Sequence, residues 1–143
     1  MAIKQVTPMA AIEQHLALEI QRRKDAILYA FKYVGERCIN EARTNGSYKD
    51  RTGNLRSSIG YLILQDGAVH TASAFDGNEG GQTGKALINK LVAEFPQGIA
   101  LVVVAGMKYA AAVEARNFNV LTSAELLAEQ QVPTLLKTLG FTK

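Results

Sequence analysis

The segment Asp50-Arg51-Thr52-Gly53-Asn54-Leu55-Arg56-Ser57-Ser58-Ile59 is where a helical pattern gives way to a β pattern. Upstream of it, apolar residues recur every three, four or seven positions. Downstream of it, they alternate with polar or small ones. Within it, the Thr52 hydroxyl is suited to capping or closing a turn, and Gly53 supplies a backbone conformation that other residues resist. Leu55 is the apolar plug, Arg56 is free to bond across the fold, and Ser57-Ser58-Ile59 begins a strand. The stretch reads as a corner joining a helix to a sheet. It contains no recognisable bond-making chemistry.

Upstream, the spacing predicts one long helix over about 8–44, with Thr7 as N-cap and Pro8 at the first helical position. Ile12, Leu16, Ile20, Ile27, Phe31, Val34, Cys38 and Ala42 fall within an arc of roughly 120° at the helical period. A stripe of that width suits a helix lying on a sheet. Gln21-Arg22-Arg23-Lys24-Asp25 interrupts the stripe, so the helix is expected to leave the core there or divide. Gly35 is a second weak point. Asn45-Gly46 is the stop signal.

Downstream, a strand is expected over Ser57–Gln65, a hairpin turn at Asp66-Gly67, and a return strand over Ala68–Phe75. The small residues Ala68, Ala72 and Ala74 suggest that something packs closely on that strand. Asp76–Gln82 reads as a mobile loop and Thr83–Phe95 as a helix ended by Pro96-Gln97-Gly98. Ile99–Ala105 is the most β-prone run and is expected to be the central strand. Tyr109–Ala115 fits either a short helix or a strand extension. Val120-Leu121 reads as a short strand, and Thr122-x-x-Glu125 as a capping box for a last helix over about 123–139, kinked or split at Pro133. The fold class is therefore α+β: a long N-terminal helix packed on a small antiparallel sheet, with a middle helix and a C-terminal helix. The 143 residues read as a single domain, with the β-rich core and middle helix over about 55–121.

Hydrophobic residues make up 48% and charged residues 20%, which places the chain among globular sequences. Net charge is +3, but residues 1–60 carry ten Lys and Arg against six Asp and Glu. A solvated helix face explains that bias, because nucleic-acid-binding domains gather basic side chains on one face and often interleave aromatics. Passive contact with DNA remains open for Arg22, Arg23, Lys24, Lys49, Arg51 and Arg56. The lone Cys38 has no intramolecular disulfide partner, fits a reducing compartment, and reads as core filler. The N-terminus lacks a signal-peptide pattern and no apolar run approaches a membrane span.

Catalytic and ligand signals are weak. Gly80-Gly81-Gln82-Thr83-Gly84-Lys85-Ala86 superficially resembles a phosphate loop, but Glu79 stands where the first glycine is required and Ala86 where a hydroxyl would bind Mg²⁺. His15, paired locally with Glu19, and His70 are too scattered for a metal site. No catalytic residue, cofactor or metal is expected, and the chain does not read as an enzyme. Glu114 lies among apolar neighbours and needs a partner; Arg56 is the candidate, through a charge-assisted bond tying the first strand to the segment after the third.

Arg51-Thr52-Gly53-Asn54-Leu55-Arg56-Ser57-Ser58-Ile59 resembles the T-G-x-L-R-x-S-I signature of the tail-completion, or head–tail joining, family of long-tailed bacteriophages. Tyr109, Ala110, Val113 and Glu114 are similar to the family's later Y-A-x-x-V-E segment, and the order of elements is also similar over about residues 10–121. One departure is that the family's E-x-G is replaced by Glu114-Ala115-Arg116, which leaves Asn117-Phe118-Asn119 to turn the chain. The resemblance implies a structural virion-assembly protein of a phage or prophage. It would be a neck protein forming an oligomeric ring, commonly a hexamer, between the connector and the tail-tube or terminator proteins. It would be made in the host bacterial cytoplasm and end at the virion neck, with no membrane partner. Arg51, Thr52, Gly53, Leu55, Arg56, Tyr109, Val113 and Glu114 are then the structural and assembly residues. Two patches are candidates for the heterologous contacts a ring needs: the helix face bearing Leu28 and Ile39, and the Asp76–Gln82 loop. A small nucleic-acid-binding accessory protein is the alternative.

Overall fold

The computed structural model describes residues 8–50 and 52–141, so Thr7 and Arg51 lie outside the described residues. The elements are α1 (Met9–Thr44), α2 (Asn54–Ser57), β1 (Ile59–Gln65), β2 (Ala68–Ala72), α3 (Glu79–Leu91), β3 (Ile99–Ala105), α4 (Ala110–Ala115) and α5 (Thr122–Thr138). This is the expected α+β class, with a long N-terminal helix, a three-stranded antiparallel sheet, and middle and C-terminal helices.

The strand order is β2-β1-β3, so β1 and not β3 is central. Ile59, Tyr61 and Ile63 face a core formed with α1 and α5, while Leu62 and Leu64 face a second core formed with Ile88 of α3. Six consecutive residues from Ile59 to Leu64 are buried. Both strands are apolar because both have helices on their faces, and hydrophobicity alone does not reveal which one has a neighbour on each side. The hairpin forms as its dipeptide requires, with Asp66 at φ 50° and Gly67 at φ 83°. β2 ends at Ala72, short of Phe75, and Ala68, Ala72 and Ala74 are exposed rather than tightly packed.

α1 passes through Gln21–Asp25 without dividing. The polar block is solvated helix surface, linked by Arg22–Glu19 at 3.5 Å and by Gln21 Nε2 donating to Asp25 Oδ1 at 2.8 Å. Gly35 is a contact point and not a weak one: a Cβ there would lie 2.7 Å from the Tyr61 ring. Tyr61 in turn donates its hydroxyl to Glu36 Oε1 at 2.7 Å. Burial pushes the phenol's pKa up, and the bond to Glu36 and its charge push it further.

α5 runs antiparallel to the second half of α1. Near its start, Cys38 Sγ donates to the Ala124 carbonyl at 3.4 Å; further along, Arg37 donates to Gln131; past its end, Arg23 lies 5.7 Å from the centroid of the Phe141 ring. Leu28 and Ile39 close this seam at 5% and 6% exposure, so the outward patch expected there does not exist. Cys38 is fully buried, and burial pushes its thiol pKa up, which makes it inert. Pro133 lies on the exposed side of α5 and does not split the helix, which Leu127, Ala128, Val132 and Leu135 hold against the core. Ahead of the seam, Met9, Leu16, Leu18 and Ile20 are 55–60% exposed. Leu16 and Ile20 of the expected stripe are thus exposed. Among these residues no helix is long and apolar enough to cross a membrane.

The two halves of this arrangement should respond differently to truncation. Leu62→Ala is expected to lower unfolding free energy by about 3 kcal/mol. Leu16→Ala should change it by less than about 0.5 kcal/mol. Urea denaturation of the two variants checks both.

Candidate functional site

The corner starts where α1 ends. Asp50 folds its carboxylate back over the next turn, Oδ1 accepting from the Leu55 N–H at 3.4 Å and Oδ2 from the Arg56 N–H at 3.0 Å. Thr52 Oγ1 accepts from the Asn54 N–H at 3.3 Å, and Gly53 takes φ 75°, a left-handed conformation suited to glycine. Residues 54–57 then form the one-turn helix α2, which takes in Ser57, the expected strand start, and the strand begins only at Ile59.

Ser58, fully buried, is the junction. Its hydroxyl donates to the Leu55 carbonyl at 2.7 Å and accepts from the Met107 N–H at 3.3 Å, and its carbonyl accepts from the Gly106 N–H at 3.1 Å. Arg43 near the end of α1 donates to the Ile59 carbonyl at 2.6 Å. α1, α2, β1 and the end of β3 are thereby fastened within a few residues of one another.

α3 docks on this corner through its first turns. The expected loop Asp76–Gln82 is already helical from Glu79, so it is not a patch awaiting order. Asn78 is the N-cap, its Oδ1 accepting from the Gly81 N–H at 2.8 Å while its Nδ2 donates to Ser57 Oγ at 2.9 Å. Asn54 Oδ1 accepts from the Gly80 N–H at 3.2 Å. A Cβ at Gly80 would strike the Asn54 carbonyl, one at Gly81 the Asp76 carbonyl, and one at Gly84 would lie 2.6 Å from the Ser58 carbonyl. The glycines that superficially resemble a phosphate loop serve close backbone packing instead. The N–H groups of Gly80 and Gly81 are occupied by Asn54 and Asn78.

The two segments singled out in the sequence meet here. Leu55, Tyr48, Ala110 and Val120 form one buried cluster, with Val113 and Met107 packed against it. The ambiguous segment after β3 is a helix, α4, and Tyr109 at its start is 42% exposed. Arg56 and Glu114 do not pair. The Arg56 guanidinium lies 5.6 Å from the centroid of the Tyr48 ring, whereas Glu114 turns the other way. Its Oε2 accepts from the N–H groups of Val120 at 2.6 Å and Leu121 at 3.3 Å, and its Oε1 from the Thr122 N–H at 2.9 Å and from the Thr122 hydroxyl. Glu114 therefore caps α5, replacing the expected Thr122–Glu125 box, and Val120-Leu121 is irregular rather than a strand. Asn119 completes the cap, its Oδ1 accepting from the Ser123 N–H at 3.0 Å. Asn117, one residue beyond the Arg116 that stands in place of the resembled family's glycine, has φ 66°. Burial raises the Glu114 pKa, but the bonds from Thr122, Val120 and Leu121 together outweigh it and hold the carboxyl below its ordinary value of 4.5.

His15 is exposed, and Glu19 bonds Arg22 instead of it; His70 Nδ1 lies 2.9 Å from Thr71 Oγ1. No group of three or more His, Cys, Asp or Glu converges among the described residues. Asp50, Asn54, Asn78 and Asn119 carry the corner without having been singled out. The signal that locates them is a short carboxylate or amide side chain beside a helix start. Comparison with protein-family models, with curated proteins and with solved structures returned no match.

Glu114 binds its proton less tightly folded than unfolded. Its contribution to stability is complete above the unfolded value near 4.5 and is lost as pH falls through the lower folded value. Glu114→Gln should lower stability by about 2 kcal/mol at neutral pH and flatten the acid limb of a stability-versus-pH curve. Gly80→Ala should cost about 2 kcal/mol or more, because a backbone carbonyl has to move, and thermal melting measures that loss.

Proposed function

We propose that this chain is a structural subunit of a phage or prophage virion, acting in tail completion or head–tail joining as part of a ring at the neck. The observation that carries the reading is the meeting of the two family-like segments. Thr52–Ile59 and Tyr109–Glu114, some fifty residues apart, pack in one corner around Leu55. The corner's chemistry is that of a joint. Its carboxylates and amides cap helix starts, its glycines bring backbones together, and its hydroxyls bridge elements. Each of these groups is spent on geometry, which suits a part whose work is to hold a shape between two other rings.

Connector and tail-tube or terminator proteins are the partners in this reading, with the virion neck as the destination and DNA as passing traffic. Three of the basic residues have local partners: Arg22 bonds Glu19, Arg23 lies on Phe141, and Arg56 lies on Tyr48.

The test is deletion of the gene from its phage or prophage, followed by electron microscopy of the lysate. Filled heads and finished tails that fail to join are expected, with joining restored by the added protein. Intact infectious virions would overturn the reading. A nucleic-acid titration separates the accessory-protein alternative, since a genuine binder loses affinity steeply as salt rises.

A further inference from the structure

We propose that the outer edge of β3 is a docking edge for a second copy of this chain, which pairs its own β3 antiparallel about a two-fold axis at Val102. The inference does not depend on the neck reading.

The hydrogen-bond parity of β3 is fixed at both ends. The Gly106 N–H donates to the Ser58 carbonyl at 3.1 Å, and the Asp66 N–H donates to the Gly98 carbonyl at 2.9 Å. In an antiparallel ladder, bonded pairs alternate with non-bonded ones. Ala100, Val102 and Val104, opposite Leu64, Leu62 and Gly60, therefore turn their N–H and C=O groups toward β1. Ile99, Leu101, Val103 and Ala105 turn theirs outward. Among the described residues, no backbone or side-chain group bonds them there.

This edge carries none of the usual protection. Ile99-Ala100-Leu101-Val102-Val103-Val104-Ala105 has no charge and no proline. The opposite edge differs. β2 has five residues, and its register slips between Ile63 and Leu64, leaving His70 without a partner in a one-residue bulge. Bulges and shortness blunt an edge. The unprotected strand that matches β3 in length and parity is another β3.

Centring the pair on Val102 sets Ile99 opposite Ala105 and Leu101 opposite Val103. Every outward residue then faces another outward residue, and each facing pair exchanges two hydrogen bonds. The charges flanking the strand agree with this direction. Exposed Glu94 precedes β3 and exposed Lys108 follows it, so antiparallel pairing brings acid toward base, whereas parallel pairing brings like toward like. The partly buried side chains of Ile99, Leu101 and Val103 gain further cover in the same step.

Sedimentation and amide hydrogen exchange of the full chain across a concentration series test this. The expected result is a monomer–dimer equilibrium. The Val102 and Val104 amides stay protected throughout, and those of Leu101 and Val103 become protected only as dimer forms. Val103→Pro removes an outward N–H alone and should give a folded monomer at every concentration, whereas Val102→Pro removes a bond to β1 and should destabilise the fold. Should Val103→Pro fail to fold, amide exchange at Leu101 and Val103 in the wild-type chain decides by itself. A wild-type chain that remains monomeric, or a dimer in which the Leu101 and Val103 amides keep exchanging freely, overturns the proposal. Either failure leaves the neck reading to its own deletion test.

Discussion

One fully buried serine holds the architecture together. Ser58 ends α2, begins the central strand and meets the exit of β3, and both its hydroxyl and its carbonyl are bonded at that point. Leaving a buried hydroxyl unpaired costs about 1–3 kcal/mol. Satisfying this one brings the Leu55 carbonyl and the Met107 N–H together, and the Ser58 carbonyl beside it accepts from the Gly106 N–H. β1 is then held at the point where it enters the core, and the cores on its two faces are built from opposite sets of its side chains. A change at Ser58 is therefore felt in both layers at once.

The surrounding polar groups follow one logic. Asp50 and Asn78 lie ahead of α2 and α3 and accept N–H groups of their first turns, and Glu114, within α4, accepts those of Val120, Leu121 and Thr122 where α5 begins. Those donors have no partner within their own helix, and a short oxygen-bearing side chain supplies one. Glu114 also links α4 to α5, so the segment after β3 orients the helix that packs along α1. The Arg56 cation, which pairs with no carboxylate among the described residues, lies over the Tyr48 ring, where the π face attracts it.

Much of this was legible in advance, and the exceptions share a cause. Apolar spacing located α1, and Asp66-Gly67 located the hairpin, because both signals are local. The corner segment was recognisable by Gly53 and Leu55. The centrality of β1 was not, since Ile59–Leu64 and Ile99–Ala105 are both apolar and only pairing distinguishes them. The start of α3 was masked by Gly80, Gly81 and Gly84, which read as a loop until the carbonyls of Asn54, Asp76 and Ser58 are known to lie against them. Glu114 was correctly singled out as needing a partner. The partner was a run of backbone N–H groups, which no residue identity announces. The exposed first part of α1 carries the same periodicity as the buried part, and it is the polar block Gln21–Asp25, where the helix was expected to leave the core or divide, that marks where the core ends.

That uneven anchoring gives α1 a mechanical character. It is clamped from Leu28 onward, by the sheet on one side and α5 on another, and its earlier residues extend as a cantilever of about 30 Å at 1.5 Å per residue. A tilt of about 5° at the clamp sweeps the tip near Met9 through roughly 2.5 Å on that lever length. The protein thus carries a lever, on which a small tilt at the clamp becomes a displacement about as large as an atom at its far end.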